Sequence, residues 1–218
     1  MRCTQCSNEL DPIFVSDIDG TLAQYHEHLA WFASMYWDLP LASLQGYDGN
    51  GPINEWYGVG IEEYRRMKLA FRSGGMKRFM PAYNGARALM TTARDFKCEI
   101  WLATTRPYLR LDSIDPDTRH WLSREGIAYN HLLFGERKYD DLCEQIDSDR
   151  VVMVLEDLPE LYDQAANNGL PVVQIERTHN RHFNSRRAVS AGTLYEASQA
   201  LINRVNQWKE KYGIEHGS

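Results

Sequence analysis

No apolar run in the chain approaches the roughly 20 residues that a membrane span requires, which argues against a transmembrane protein. The N-terminus, Met1-Arg2-Cys3-Thr4-Gln5-Cys6, lacks the apolar core of a signal region, so a cytoplasmic protein is expected. Excess positive charge is also missing. Lys and Arg number 24 against 30 Asp and Glu, a net charge of −6, which argues against wholesale coating of nucleic acid or membrane. Cysteine is scarce, at four residues. Cys98 and Cys143 fall in segments expected to be buried. Cys3 and Cys6 form half of a zinc knuckle with no second pair, and His26 and His28 are the nearest other donors. A reduced tail is expected there, with zinc as the alternative. There is no Gly-x-x-x-x-Gly-Lys loop, which excludes a Walker-type kinase, and no internal repeat or low-complexity tract.

What is present is a soluble-looking composition, 43% hydrophobic and 25% charged over 218 residues. That length suffices for one core plus a small insertion. Ile13-Phe14-Val15 reads as a short buried strand leading into Ser16-Asp17-Ile18-Asp19-Gly20-Thr21. Residues 22–80 have a different texture. Helical spacing from Leu22 to Asp38 is followed by a Gly-, Pro- and Asn-rich loop, and a second helix is expected over Glu55–Arg72, ended by Ser73-Gly74-Gly75. Glu62 and Arg66, at i and i+4, mark an exposed face of that helix.

From Pro81 onward strands and helices alternate. A helix is predicted over Gly85–Phe96 and a strand over Cys98–Ala103. A further helix is predicted with Asp115 as N-cap, Pro116 at its first position and Gly126 just past its end. Leu132–Phe134 is a third strand and Tyr139–Ile146 a helix. Val151–Leu155 is a continuously apolar fourth strand, Pro159 opens a helix ending near Gly169, and Pro171–Ile175 is a fifth strand. Thr193 and Glu196 have capping-box spacing before a final amphipathic helix. The alternation predicts an α/β fold, a Rossmann-like parallel sheet flanked by helices. The catalytic core is assigned to residues 1–23 and 80–218, and a mainly helical insertion to 24–79.

Apolar strands end in Asp17 and Asp19, in Thr104, and in Glu156-Asp157. In an open parallel sheet such ends converge on one edge, where ligands bind. Crowded carboxylates repel, and a hard divalent cation such as Mg²⁺ relieves the repulsion.

The same residues resemble the four motifs of the haloacid dehalogenase (HAD) superfamily. Asp17-x-Asp19-Gly20-Thr21 is similar to its first motif and Thr104-Thr105-Arg106-Pro107 to its second. Lys138 matches the third, with Arg137 a competing candidate, and Glu156-Asp157 matches the acidic fourth. The resemblance implies a HAD core carrying a C1-type cap, and a phosphatase in which Asp17 is the nucleophile and Asp19 the general acid/base. Thr104, Thr105 and Lys138 would bind the phosphoryl group. Mg²⁺ would be held by Asp17, Asp157 and the Asp19 carbonyl, with Glu156 binding directly or through water. Each motif also has a plainer reading as a strand end, a helix start or a cap.

The stretch from Pro81 to Ile127 looks most like 5′-deoxyribonucleotidases, and also like the 3′-phosphatase part of polynucleotide kinases. The expected substrate is therefore a small phosphorylated molecule, a nucleoside monophosphate first. Nucleic-acid ends, or another phosphorylated metabolite, are the alternatives, and a non-catalytic binding protein is a remote one. Aromatics of the insertion, Trp31, Trp37 and Trp56 among them, are candidates to stack on a base. The cluster Arg177, His179, Arg181, His182, Arg186 and Arg187 could contact extra phosphates or be a solvated loop.

Overall fold

The structure, a computed structural model, describes residues 11–107, 111–183 and 189–214. Cys3, Cys6, Arg186 and Arg187 lie outside the described residues. Six parallel strands form one sheet: β1 (Ile13–Ser16), β2 (Glu99–Thr104), β3 (His131–Phe134), β4 (Val151–Glu156), β5 (Val172–Ile175) and β6 (Val189–Ala191). Their spatial order is β3-β2-β1-β4-β5-β6, which puts β1 in the interior beside both β2 and β4. The five strands expected from sequence are present. β6 was not foreseen, because three residues beside an Arg-rich stretch carry too little apolar pattern to register.

Alternation along the strands feeds two separate apolar layers. Phe14, Ile100, Leu102, Met153, Leu155, Val173 and Ile175 point to one face. There they meet helices α4 (Ala86–Asp95), α5 (Ile114–Glu125) and α8 (Leu194–Tyr212). Ile13, Val15, Trp101, Ala103, Val154 and Val172 point to the other face, covered by α6 (Lys138–Cys143) and α7 (Pro159–Asn167). Both faces are covered by helices, which explains why Val151–Leu155 of β4 reads as an uninterrupted apolar run and β1, β2 and β5 are mainly apolar.

Between β1 and β2 in sequence lie α1 (Tyr25–Trp37), a short α2 (Ile53–Trp56) and α3 (Ile61–Ser73). Leu29, Ala30 and Ala33 of α1 and Met67 and Phe71 of α3 are buried in the same apolar cluster as Phe14. This segment therefore packs onto the sheet domain through a continuous hydrophobic contact.

Several local expectations need correction. α1 begins at Tyr25 and not at Leu22, because Ala23 is held extended by a bridge to Ala82. The helix expected over Glu55–Arg72 is two helices, since Gly58 adopts a left-handed φ of 67° that a continuing helix forbids. The ion pairs on α3 are Glu62–Arg65 and Glu63–Arg66, at i,i+3. α5 starts two residues earlier than predicted, at Ile114 with Ser113 as N-cap. Pro116 is tolerated because first-turn N–H groups have no helical partner, and Asp115 pairs with Arg119 at 2.7 Å. The capping box at α8 is half formed. Thr193 accepts from the Glu196 N–H at 3.1 Å, but the Glu196 carboxylate accepts from Gly192. Among the described residues, no helix is long and apolar enough to cross a membrane.

Candidate active site

The ends of β1, β2 and β4 bring the motif residues together. β1 runs on by one more ladder bond, from the Asp17 N–H to the Leu155 carbonyl at 3.0 Å, so Asp17 emerges directly beside the end of β4. There β4 delivers Glu156 and Asp157, both fully buried. Ligand atoms of Asp17, Glu156 and Asp157 all lie within 4.8 Å of one another. Such crowding is possible because Gly20 turns away with a φ of +93°. A Cβ on Gly20 would stand 2.1 Å from Asp157 Oδ2. Gly20→Ala is therefore expected to cost at least about 1–3 kcal/mol in backbone strain. It should also displace Asp157, so thermal unfolding and Mg²⁺ affinity should fall together. A variant with unchanged Mg²⁺ affinity would show that this approach does not matter.

Lys138, at the start of α6, settles between two of the acids. Its Nζ lies 2.5 Å from Asp17 Oδ1 and 2.7 Å from Glu156 Oε2, with the side chain wholly buried. Arg137, the competing candidate, is exposed and pairs with Asp140. Burial depresses an ammonium, but here Asp17 and Glu156 outweigh it and raise Lys138 above its ordinary value. Burial, with the charges of Glu156 and Asp157, pushes Asp17 well above the usual carboxylate range, against the pull of Lys138. Glu156 is occupied on both oxygens. Oε1 accepts from the N–H groups of Asp157 and Leu158, and Oε2 meets Lys138 and the Tyr139 hydroxyl at 2.6 Å.

Asp157 is held differently. Thr21 Oγ1 donates to its Oδ1 at 2.9 Å, His179 Nε2 lies 2.8 Å from its Oδ2, and the Asn180 amide donates to its carbonyl at 2.7 Å. Burial alone would raise Asp157, yet the hydrogen bond and charge of His179 hold it below the usual value. Part of the basic cluster thus turns inward. Arg177 lies over the Tyr83 ring and donates to the carbonyls of Gly20 and Thr21, both at 2.8 Å, which pins the turn after Asp19.

Asp19 faces cations. Its carboxylate accepts from Lys77 and from Arg106, whose Nη2 stands 2.5 Å from Oδ1. Burial works against ionisation, but Arg106 and Lys77 prevail and hold the Asp19 carboxyl well below the ordinary range. Burial takes Lys77 down to about 7 despite Asp19. Neither cation was singled out from sequence. Arg106 could have been, since it belongs to the Thr-x-Arg-Pro string. Lys77 sits in an unremarkable Met76–Arg78 turn, and only the fold brings it to Asp19. Thr104 is buried, with Oγ1 3.4 Å from the Arg106 N–H, while Thr105 is exposed and lines the cavity.

A cavity of about 450 Å³ opens over Asp17 and Asp19. The insertion lines it with Tyr25, His26, Tyr47, Tyr64, Lys68 and Arg72. Here the sequence reading needs correcting: Trp31, Trp37 and Trp56 are not among the lining residues. Trp31 stacks on His28, Trp37 donates to Glu63 at 2.9 Å, and Trp56 donates to the Leu44 carbonyl at 3.3 Å. They brace the insertion, and the tyrosines do the lining.

Three carboxylates against one ammonium leave an uncompensated negative site beside a cavity. The donor set, all oxygen, suits Mg²⁺. Asp17 Oδ1 and both Glu156 oxygens meet Lys138, Tyr139 or backbone N–H groups, and the Asp157 oxygens meet Thr21 and His179, so an ion held by Asp17 and Asp157 would share or displace those contacts.

No protein-family model matches the chain. In sequence it is similar to a Chlorobaculum tepidum protein provisionally named as a 5′(3′)-deoxyribonucleotidase, 25% identical over 189 residues, covering 85% of this chain and 89% of the other. In structure it is similar to a predicted phosphatase from Clostridium acetobutylicum, with a TM-score of 0.60 and 16% identity over 88% of this chain and 99% of that one. A Bacillus subtilis HAD-hydrolase described as bound to magnesium aligns with a TM-score of 0.60 and 11% identity, covering 88% and 99% of the two chains. In architecture the chain is similar to haloacid dehalogenase-like hydrolases of known structure.

Proposed function

We propose that this chain is a Mg²⁺-dependent phosphomonoester hydrolase that forms an aspartyl phosphate on Asp17, with nucleoside monophosphates as its first substrate class. The observation that carries this reading is the buried Asp17–Lys138–Glu156 arrangement, whose Asp17 lines a cavity also lined by Tyr25, Tyr47, Tyr64 and Arg72 of residues 24–79. On this reading that segment is a cap, and residues 1–23 and 80–218 are the catalytic core. A cavity of about 450 Å³ suits one small ligand better than a polymer strand.

Asp17 attacks phosphorus in line. The new bond runs from a carboxylate oxygen to phosphorus, and the bond to the leaving oxygen breaks. Lys138 and Thr104 hold equatorial oxygens as charge redistributes. Mg²⁺ would offset repulsion between the substrate dianion and the carboxylates. Asp19 supplies the leaving oxygen with a proton and later takes one from the hydrolytic water. In the free protein Arg106 and Lys77 keep Asp19 ionised. An entering phosphate dianion competes for those cations and raises the Asp19 pKa, so the acid form arises when substrate is present.

The test is a panel of nucleoside monophosphates beside 3′-phosphorylated oligonucleotides, with Mg²⁺ and with EDTA. Preference for mononucleotides, abolished by EDTA, is expected. Preference for oligonucleotides would overturn the substrate class. Within the cap, Tyr47→Ala should raise KM for a nucleotide by about tenfold, the scale of one base–aromatic stack, while Trp31→Ala should change it by less than about twofold. Equal effects of the two substitutions would remove the tyrosine from the substrate site.

A further inference from the structure

Asp157 belongs to a second cluster besides that with Asp17 and Glu156. His26, Asp157 and His179 each offer a donor atom, and these atoms all lie within 4.8 Å of one another. His26 comes from the first turn of α1, in the insertion, whereas His179 follows β5 in the sheet domain. Their ring centroids are 4.3 Å apart. Abutting imidazoles usually share a hydrogen bond or a cation. Here His26 Nδ1 is buried with no hydrogen-bond partner, and His179 Nε2 is spent on Asp157 Oδ2 at 2.8 Å. Both histidines line the main cavity.

We propose that His26, His179 and Asp157 form a second divalent-metal site, of transition-metal type, that ties the helical insertion to the sheet domain. Two imidazoles and one carboxylate suit Zn²⁺ or Co²⁺ and not Mg²⁺, which prefers oxygen donors. Three protein ligands leave a fourth position open toward the cavity, as in sites that bind water or substrate. The two oxygens of Asp157 have different partners, Oδ1 on Thr21 and Oδ2 on His179. Oδ2, which already faces His179, is therefore the oxygen placed to serve the second ion. Because the ligands come from both sides of the cavity, metal binding should also hold the insertion against the sheet domain. The site stands on this geometry and does not depend on the phosphatase reading.

The test is Zn²⁺ titration by calorimetry in excess Mg²⁺, in a Cys3→Ser, Cys6→Ser background so that the N-terminal pair cannot contribute. One equivalent should bind, His26→Gln should weaken it at least tenfold, and Asp17→Asn should leave it within about threefold. X-ray absorption at the zinc edge should show two imidazole ligands, a readout that does not require any variant to fold. Binding unaffected by His26→Gln, binding lost in Asp17→Asn, or a zinc coordination shell without imidazole would overturn the proposal. If the Zn²⁺ site is present but no phosphatase activity is found, the function proposed above fails and this site stands.

Discussion

Asp17→Asn is expected to lower turnover of any phosphomonoester by on the order of 10⁴-fold or more, the scale seen when a covalent nucleophile is removed, while the chain stays folded. The stability half of this expectation follows from the electrostatics. Burial and the charges of Glu156 and Asp157 raise the Asp17 pKa in the folded state. A carboxyl with a raised folded pKa is protonated more readily when folded, so its ionised form opposes folding above the unfolded value of about 3.9. Asn removes that opposition at neutral pH, and Lys138 keeps Glu156 as its partner at 2.7 Å. In Mg²⁺-free buffer at pH 7 the variant should melt at the same temperature as the native protein or higher. The difference should shrink as pH falls toward about 4 and vanish below it, where the side chain is neutral in both the folded and the unfolded chain. Thermal unfolding against pH, beside turnover, checks both parts. A variant that is inactive because it unfolds would remove the catalytic meaning from the loss.

Lys138→Met should have the opposite effect on stability. It takes away the ammonium that lies between Asp17 and Glu156 and leaves three buried carboxylates with donor atoms within 4.8 Å of one another. Breaking a buried ion pair on one side costs about 3–5 kcal/mol, which for a chain of this size is a melting-temperature fall of roughly 6–20 °C. Because the lost charge is positive and the remaining groups are all carboxylates, Mg²⁺ should restore much of the loss through binding linkage. The Mg²⁺-induced rise in melting temperature should be larger in Lys138→Met than in the native protein. Activity with Mg²⁺ should still be down by about 10²–10³-fold, as expected when one donor to a developing oxyanion is removed. Equal Mg²⁺ increments in the two proteins would mean that Lys138 does not neutralise the metal-binding carboxylates.

Much of the fold was legible because both faces of the sheet are covered. Continuous apolar stretches such as Val151–Leu155 can be nothing but buried strands when they end in acids and a Pro-opened helix. The architecture and the strand-end carboxylates were readable for the same reason: the strand that buries its apolar residues also fixes where its last residues emerge. Residues supplied from loops were not readable. Lys77 reaches Asp19 across 58 positions, Arg177 reaches Gly20 across 157, and no local pattern marks either contact. The tryptophans of the insertion misled because size and aromaticity say nothing about direction. Trp31 and Trp56 are partly exposed on the outside of the insertion, and smaller tyrosines face the cavity. The basic cluster read as a surface feature, yet Arg177 and His179 turn inward and hold Gly20, Thr21 and Asp157.

Covalent chemistry on Asp17 is the central claim, and trapping it is the most direct measurement. The protein would be mixed with excess nucleoside monophosphate and Mg²⁺, quenched in acid within the first turnover, digested and weighed by mass spectrometry. The account predicts a transient phosphoryl adduct on the peptide containing Asp17, absent with EDTA and absent in Asp17→Asn. Turnover at full rate with no adduct on that peptide, or with the adduct on another residue, would contradict it.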